Sequence, residues 1–204
     1  MSLTSRRRRT LDRTIRSVRD TRLVVIATEG AITEKQYFSM FSRLSPRVHI
    51  RILETPGGAC APRSVLDRLR AYREEYELGA DDVLCLVIDR DRWPDESLSD
   101  VAAQAHNLRF LLSLSNPCFE VWLYLHLSDV SSSMRNRTCR QIESELRTLL
   151  PGYNKTNLNL EQFAPYVDTA VQRAKDMDVH PDERWPNQIG SRVYRVIQAI
   201  HNLR

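Results

Sequence analysis

Two aspartates one residue apart, Asp89 and Asp91, follow directly on the apolar run from Val83 to Ile88. Carboxylate oxygens are hard ligands of the kind Mg²⁺ takes in proteins, usually one or two of them with water and substrate phosphate completing an octahedron. An Asp-x-Asp step can therefore hold a metal for chemistry on phosphates. Aspartates also favour turns and helix N-termini, so the step alone leaves a structural interpretation open.

Acidic residues follow other predicted elements as well. Glu29 follows the apolar run 23–27 after one intervening residue, Thr28, and Gly30 behind it permits a tight backbone turn. Glu120 lies in the first turn of the segment 118–127, which is apolar nearly all round. The helix dipole alone would stabilise a carboxylate there. Because a buried carboxylate also needs a partner or a metal, Glu120 is a candidate site residue as well.

One lysine is a candidate for the same chemistry. Lys155 lies in the predicted loop 151–156, and a compact ammonium there could neutralise charge that develops during phosphoryl transfer. A surface lysine without a catalytic role is the commoner explanation for such a position. With the acids, one or two Mg²⁺ ions would orient a phosphodiester, lower the pKa of an attacking water and balance charge on the leaving oxygen.

The elements around these residues predict an α/β fold. Apolar runs predict four strands, at 23–27, 48–53, 83–88 and 108–114, and helices are predicted between them at 33–44, 63–78 and 95–107. This alternation favours a parallel sheet with right-handed crossovers. Ligands of such sheets collect outside the carboxyl ends of the strands. Glu29, Asp89 and Asp91 would then share one edge, and the fourth strand would bring Glu120 to it.

Local signals predict where two helices start. Thr33 with Gln36 three residues later matches a capping box. Asn116 followed by Pro117 predicts an N-cap with proline at the first helical position.

The rest of the chain suggests a division into three parts. Beyond residue 130 the pattern predicts only helices, at 138–150, 159–178 and 189–203. We therefore expect a basic N-terminal arm over 1–20, an α/β core over 21–130, and a helical C-terminal extension over 131–204 packed on the core.

Composition excludes several classes of protein. The 204 residues, 42% of them hydrophobic and 27% charged, suit one soluble domain. No stretch has the length of a transmembrane helix, and residues 1–20 are too polar for a secretory signal, so we expect a cytoplasmic protein without membrane contact. The four cysteines and five histidines lack zinc-site spacing. The Gly57-Gly58 loop lacks the ending of a P-loop, so nucleotide hydrolysis would require a partner protein.

Positive charge is concentrated at the N-terminus. Arg6 to Arg9 are consecutive, and Arg13, Arg16, Arg19 and Arg22 follow, partly along a predicted basic helix over 10–20. Such a run commonly contacts a phosphate backbone. A solvated arm without a ligand explains the run equally well.

Together these residues resemble a known family. Glu29-Gly30 after one strand and Asp89-x-Asp91 after a later strand resemble the Toprim arrangement of topoisomerases, bacterial-type primases and OLD-family nucleases. A wider set is similar to the RloB family over about residues 22–200: Glu29-Gly30-x-x-Thr33-Glu34, Asp89-Arg90-Asp91, Ser115-Asn116-Pro117-x-Phe119-Glu120-x-Trp122 and Tyr153-x-Lys155.

The resemblance implies a Toprim-like core of about four parallel strands flanked by helices, with a helical C-terminal part. It implies a Mg²⁺-dependent endonuclease, with Mn²⁺ as the alternative metal, acting in bacterial anti-phage defence beside an ATPase partner. Glu29 would be general acid or base and metal ligand, Asp89 and Asp91 metal ligands, and Glu120 and Lys155 would complete the site, Glu120 as a further ligand. Glu34 belongs to the motif, but its place on a helix also allows a structural role.

Two other functions use the same residues. A non-catalytic nucleic-acid-binding or regulatory subunit of an ATPase would bind metal weakly and depend on Arg6 to Arg9. Nucleotidyl transfer of the primase kind would use the same acids. The choice of DNA or RNA, the number of metals and assembly into a homo-oligomer stay open.

Overall fold

The computed structural model describes residues 8–9, 22–44, 48–55, 57 and 60–201. The helix predicted over 10–20 lies outside the described residues, as does most of the predicted arm.

A five-stranded sheet in the order β2-β1-β3-β4-β5 forms the centre of the protein. Its strands are β1 (Arg22–Thr28), β2 (Val48–Leu53), β3 (Val83–Asp89), β4 (Leu111–Asn116) and β5 (Gly190–Ser191). The first four are parallel, and β5 runs antiparallel to β4. The predicted α/β fold with a parallel sheet is thus confirmed, with β5 added at one edge.

Eight α-helices surround the sheet in the described part of the chain. They are α1 (Thr33–Ser39), α2 (Phe41–Leu44), α3 (Pro62–Glu75), α4 (Asp95–Asn107), α5 (Glu120–Leu127), α6 (Cys139–Leu149), α7 (Val167–Met177) and α8 (Val193–His201). Short 3₁₀ turns lie at Ser132–Met134, Leu160–Gln162 and Ala164–Tyr166.

Two of the predicted helices are shorter than expected. The helix predicted over 159–178 becomes regular only at Val167, behind two 3₁₀ turns, the second of which contains Pro165. Proline lacks the backbone N–H that an α-helix interior requires. The helix predicted over 189–203 begins instead with β5.

Successive side chains of β1 and β3 point alternately to the two faces of the sheet, and each face packs against its own hydrophobic core. Val24, Ile26, Cys85 and Val87 face a cluster that includes α1, α5, α6, α7 and α8. The intervening residues of both strands face α3 and α4. Burial on both faces explains why these strands are continuous apolar runs. The C-terminal helices share the first of these cores with the sheet.

The fourth strand lies later in the chain than predicted. Leu108 ends α4, and Arg109 has a φ of 57°, so the chain turns before β4 begins at Leu111. Asn116 is therefore the last residue of a strand, and its side-chain amide donates to the backbone oxygen of Pro186 at 2.9 Å. The predicted N-cap at Asn116 is wrong, since α5 begins at Glu120 after a cis Asn116–Pro117 bond.

The predicted capping box is also wrong. Ile32 precedes α1 without a side-chain cap, although the helix does begin at Thr33. The side chains of Thr33 and Gln36 instead donate to the backbone oxygens of Lys155 and Thr156 in a distant loop.

Arg9 lies at the C-terminal end of α3. It forms a parallel bridge with Tyr76, and its guanidinium lies 2.9 Å from the Glu75 carboxylate. Glu75 is the last residue of α3 and Tyr76 follows it. The helix runs back toward the amino end of β3. In the described residues, no helix has the length and apolar character to cross a membrane.

Candidate active site

The carboxylate of Glu29 lies against the end of β3. The Glu29 N–H donates to the Val87 oxygen at 2.9 Å, which extends the β1–β3 pairing beyond Thr28. Its Oε2 accepts a hydrogen bond from the Asp89 backbone N–H, and its Oε1 accepts one from the Trp93 indole, each at 3.1 Å. Only 6% of Glu29 is exposed. The side chain is therefore fixed beside the Asp-x-Asp turn.

Glu34 folds back onto the turn that follows Glu29. Its Oε1 accepts a hydrogen bond from the Gly30 N–H at 3.0 Å, and only 5% of the residue is exposed. A Cβ at Gly30 would lie 2.0 Å from Glu34 Oε2, well inside van der Waals contact. Position 30 must therefore be glycine for the Glu34 carboxylate to lie where it does.

Both glutamates that follow β1, Glu29 and Glu34, have a raised pKa. Burial raises the pKa of Glu29, and the Asp91 charge raises it further. The hydrogen bonds from Asp89 and Trp93 lower this pKa but do not cancel the effect of burial. Burial also raises the pKa of Glu34 to about 7, with Glu120 and Glu29 contributing.

Asp89 is the acid most affected by the others. Burial raises the pKa of Asp89 well above its ordinary value, and the charges of Glu34, Glu29, Glu120 and Asp91 each raise it further. Five carboxylates from three parts of the chain thus act on one another at the carboxyl edge of the sheet. A cation placed among them would relieve this repulsion.

The Asp-x-Asp turn is attached to the next strand and to a distant helix. The N–H groups of Arg90 and Asp91 both donate to the Pro117 oxygen at 3.1 Å. Asp91 Oδ2 accepts from the thiol of Cys139, the first residue of α6, at 3.1 Å, and Asp91 Oδ1 lies 3.7 Å from Arg92 Nε. The turn is therefore held on the β4 side as well as by Glu29.

Glu120 opens α5, in which residues 121–126 are all buried. The residue itself is half-buried, and its charge acts on Asp89 and Glu34. The structure therefore brings Glu120 to the same group of acids as the two strand-end motifs.

The loop over 153–158 docks on α1 through the residues that suggested a capping box. Thr33 Oγ1 donates to the Lys155 oxygen at 3.0 Å, and Gln36 Nε2 donates to the Thr156 oxygen at 2.9 Å. Gln36 Oε1 accepts from the Leu158 N–H at 2.7 Å. The loop is thereby fixed to the helix that bears Glu34.

Lys155 itself is paired with a carboxylate outside the acidic group. Its Nζ lies 3.3 Å from Glu143 Oε2, and the side chain is about half exposed. Its catalytic role stays a prediction.

The acids fit a hard divalent cation by chemistry and by charge. Glu29, Asp89, Asp91 and Glu120 offer carboxylate oxygens, and Mg²⁺ usually takes only one or two protein carboxylates. Throughout the part of the chain that the structure describes, no three acidic, histidine or cysteine side chains stand close enough together to hold a metal between them. Any coordination by more than two of these residues would require side-chain rotation.

The sequence did not indicate two residues that contact the site, and it left the role of a third open. Trp93 and Cys139 contact Glu29 and Asp91 across 64 and 48 residues, and no local pattern marks them. The sequence does contain a signal for Glu34. It lies four residues after Gly30, a spacing that allows its carboxylate to fold back onto the glycine.

A family model described as RloB, RloB-like protein, matches residues 24–200 of the chain. The matched region includes all five carboxylates of the site and the docked loop. Neither the curated proteins nor the solved structures provide a match.

Proposed function

Since the chain belongs to the RloB-like family, we propose that it is a metal-dependent nuclease that cleaves nucleic-acid phosphodiesters as the effector of a bacterial anti-phage defence system. The main support is the set of mutually repelling carboxylates at one sheet edge, where Asp89 is the most affected. A protein tolerates such repulsion where a cation or a reaction uses it, because perturbed pKa values cluster at functional sites.

Glu29, Asp89, Asp91 and Glu120 are the residues that would hold Mg²⁺ or Mn²⁺. The bound ion would supply a nucleophilic water at neutral pH and stabilise charge on the phosphate. Glu29 is oriented for this by two donors, the Asp89 N–H and the Trp93 indole. Because its carboxylate position depends on the Asp89 backbone, the two motifs act as one unit.

Two buried acids can hold or release the proton that hydrolysis requires. The resemblance assigns general acid or base chemistry to Glu29, whose pKa burial raises. Glu34 adds a second such group, with a pKa of about 7. A general acid or base is most effective when its pKa lies near the working pH.

A cleavage assay with two matched variants tests this function. Wild-type protein is incubated with plasmid, single-stranded DNA and total RNA, in Mg²⁺, in Mn²⁺ and in EDTA. Asp89→Asn removes the charge at the carboxyl end of β3, whereas Asp81→Asn removes an exposed charge before its amino end. We expect metal-dependent cleavage that Asp89→Asn abolishes and Asp81→Asn retains. Equal cleavage by wild-type and Asp89→Asn protein would overturn the proposal.

A non-catalytic nucleic-acid-binding or regulatory subunit of an ATPase partner is the second candidate. It is favoured by the observation that no three potential ligands are gathered together among the described residues. In that case nucleic-acid binding would survive in Asp89→Asn protein, and no substrate would be cleaved by either form.

A further inference from the structure

We propose that Tyr153, Arg147 and Lys155 form a subsite that binds a backbone phosphate of the substrate beside the acidic site, with the Tyr153 hydroxyl donating a hydrogen bond to a phosphate oxygen. This inference rests on the proposed function, because it names the group that recognises the phosphate next to the carboxylates.

The hydroxyl of Tyr153 is buried and has no hydrogen-bond partner within the described chain. Only 4% of the residue is exposed. A buried hydroxyl without a partner costs free energy, so such a group calls for an explanation, and a missing ligand is one. The Glu120 charge raises the pKa of Tyr153, and that of Glu143 adds to it. The loop that begins at Tyr153 is also attached to α1, the helix that bears Glu34.

The hydroxyl is suited to donate a hydrogen bond and unsuited to act as a nucleophile. Burial raises the pKa of Tyr153 well above its ordinary value, and Glu120 raises it further. The group therefore stays protonated at neutral pH. Of the possible ligands, a phosphate oxygen is an acceptor that such a donor bonds well, because charge-assisted hydrogen bonds are the stronger class.

Arg147 contacts Tyr153, and Lys155 shares a carboxylate partner with Arg147. The Arg147 guanidinium lies 5.8 Å from the centre of the Tyr153 ring, and its Nη1 donates to the backbone carbonyl oxygen of Tyr153 at 3.2 Å. Arg147 and Lys155 both pair with Glu143, and their side chains are 55% and 48% exposed. One positive charge therefore remains after pairing, on groups that solvent and a polyanion can reach.

The docking of the 153–158 loop fixes this group relative to the acids. Three hydrogen bonds attach the loop to α1, which also bears Glu34: Thr33 and Gln36 each donate one, and Gln36 accepts the third from the Leu158 N–H. Asn154 Oδ1 accepts from the Thr156 N–H at 2.9 Å and stiffens the loop from within. A phosphate held at Tyr153 would thus keep a constant position next to Glu120.

Binding of a short fluorescein-labelled single strand, in DNA and RNA forms, tests the subsite without cleavage. Fluorescence anisotropy is measured in Ca²⁺ and in EDTA, alongside thermal unfolding. We expect Tyr153→Phe to weaken binding about tenfold, because one hydrogen bond to a charged group is lost. Its Tm should be unchanged or higher, since the variant also removes an unpaired buried hydroxyl.

Tyr37→Phe is the matched control for a buried tyrosine. The Tyr37 hydroxyl is paired with His126 Nε2 at 3.0 Å, so its loss should lower the Tm and leave strand binding unchanged. Arg147→Gln and Lys155→Gln alter exposed side chains and test the subsite even where Tyr153→Phe does not fold. Each should weaken binding and reduce the slope of log K against log salt by about one.

The outcomes separate this subsite from the nuclease proposal. Equal strand affinity of wild-type and folded Tyr153→Phe protein overturns the subsite, as does unchanged affinity and salt dependence of both cation variants. Strand binding that depends on Tyr153 in a protein that cleaves nothing in Mg²⁺ or in Mn²⁺ supports the subsite and overturns the nuclease. Absence of any strand binding by the wild-type protein overturns the subsite.

Discussion

The carboxylate of Glu29 accepts a hydrogen bond from the backbone N–H of Asp89 at 3.1 Å, although the two residues are 60 positions apart in the chain. The bond crosses from the end of β1 to the end of β3, the two central strands of the parallel part of the sheet. It makes the position of one acidic motif depend on the backbone of the other.

Glu29→Gln should abolish cleavage with little effect on folding. Glutamine has one side-chain oxygen, so it can accept from Asp89 or from Trp93 but turns an N–H group toward the other donor. We expect initial rates to fall at least about 100-fold, the lower range for loss of a general acid or base. Circular dichroism should show an intact fold. Trp93→Phe, which removes only one donor, should cost less activity, and a larger loss in Trp93→Phe would contradict this order.

Asp89→Asn should stabilise the protein while it abolishes activity. The aspartate is repelled by four other acids and burial disfavours its charge, and asparagine avoids both effects at similar size. We expect a gain of about 1 kcal/mol in the free energy of unfolding at pH 8, within the range of typical stabilising substitutions. Urea unfolding measures it, with Asp81→Asn as the control. A loss of stability at pH 8 would show that the Asp89 charge is compensated in the folded protein.

Glu34 should make stability depend on pH. Its pKa is raised from 4.5 to about 7 in the folded protein. The folded state therefore binds the proton more tightly than the unfolded state, and the stability from Glu34 is full below pH 4.5 and is lost as the pH rises through 7. At 1.36 kcal/mol for each pKa unit, the loss is on the order of 3 kcal/mol.

The measurement is urea unfolding across this pH range for the wild type and Glu34→Gln. Glutamine does not titrate, so the variant should lose less stability than the wild type between pH 4.5 and 7. Parallel curves for the two proteins would show that Glu34 keeps its ordinary pKa.

Mg²⁺ should raise the Tm of the wild type and not that of Asp89→Asn. A ligand that binds only the folded state stabilises it by mass action, by about 2.7 kcal/mol when its concentration is 100 times its Kd. Differential scanning fluorimetry with added Mg²⁺, followed by excess EDTA, should show a rise and its reversal. Identical Mg²⁺ shifts in the two proteins would place the bound metal elsewhere.

Gly30→Ala should reduce cleavage more than stability. The new Cβ would lie 2.0 Å from Glu34 Oε2, and the flexible end of Glu34 can rotate away from it. Rotation breaks the hydrogen bond from the Gly30 N–H and displaces a carboxylate of the site. Gly79→Ala is the control, because a Cβ there meets its nearest atom at an ordinary 3.4 Å. Comparable cleavage by both alanine variants would show that the Glu34 position is unimportant.

The two central strands could be predicted because short apolar runs of this kind are typical of strands buried on both faces. Residues 23–27 and 83–88 are apolar, short and bounded by charge, and the structure forms β1 and β3 over them with one added residue at most at each end. The prediction began the fourth strand at residue 108, before its true start at Leu111. Phe110 contributed to this, because it is apolar as part of the core beside α3 and α4 and not as a strand residue. β5 has two residues, too few for any pattern.

The acidic site could be predicted in outline, because the carboxyl ends of parallel strands meet at one edge. Its supporting contacts could not. Thr33 and Gln36 satisfy the local capping pattern, yet they bond residues more than 100 positions away, and this tertiary contact prevails over the local one. The same holds for Trp93, whose indole bonds Glu29.

The position of Arg9, fixed by its bridge to Tyr76, determines how long a nucleic acid must be to contact both Arg9 and the acidic site. Arg9 lies at the C-terminal end of α3, from which the chain leads to the amino end of β3, whereas the carboxylates lie at the other end of that strand. The seven residues of β3 span about 20 Å at about 3.3 Å each. A single phosphate cannot touch both ends. With bases spaced about 3.4 Å apart along a stacked strand, a nucleic acid in contact with both must cover about six nucleotides of the molecule's surface.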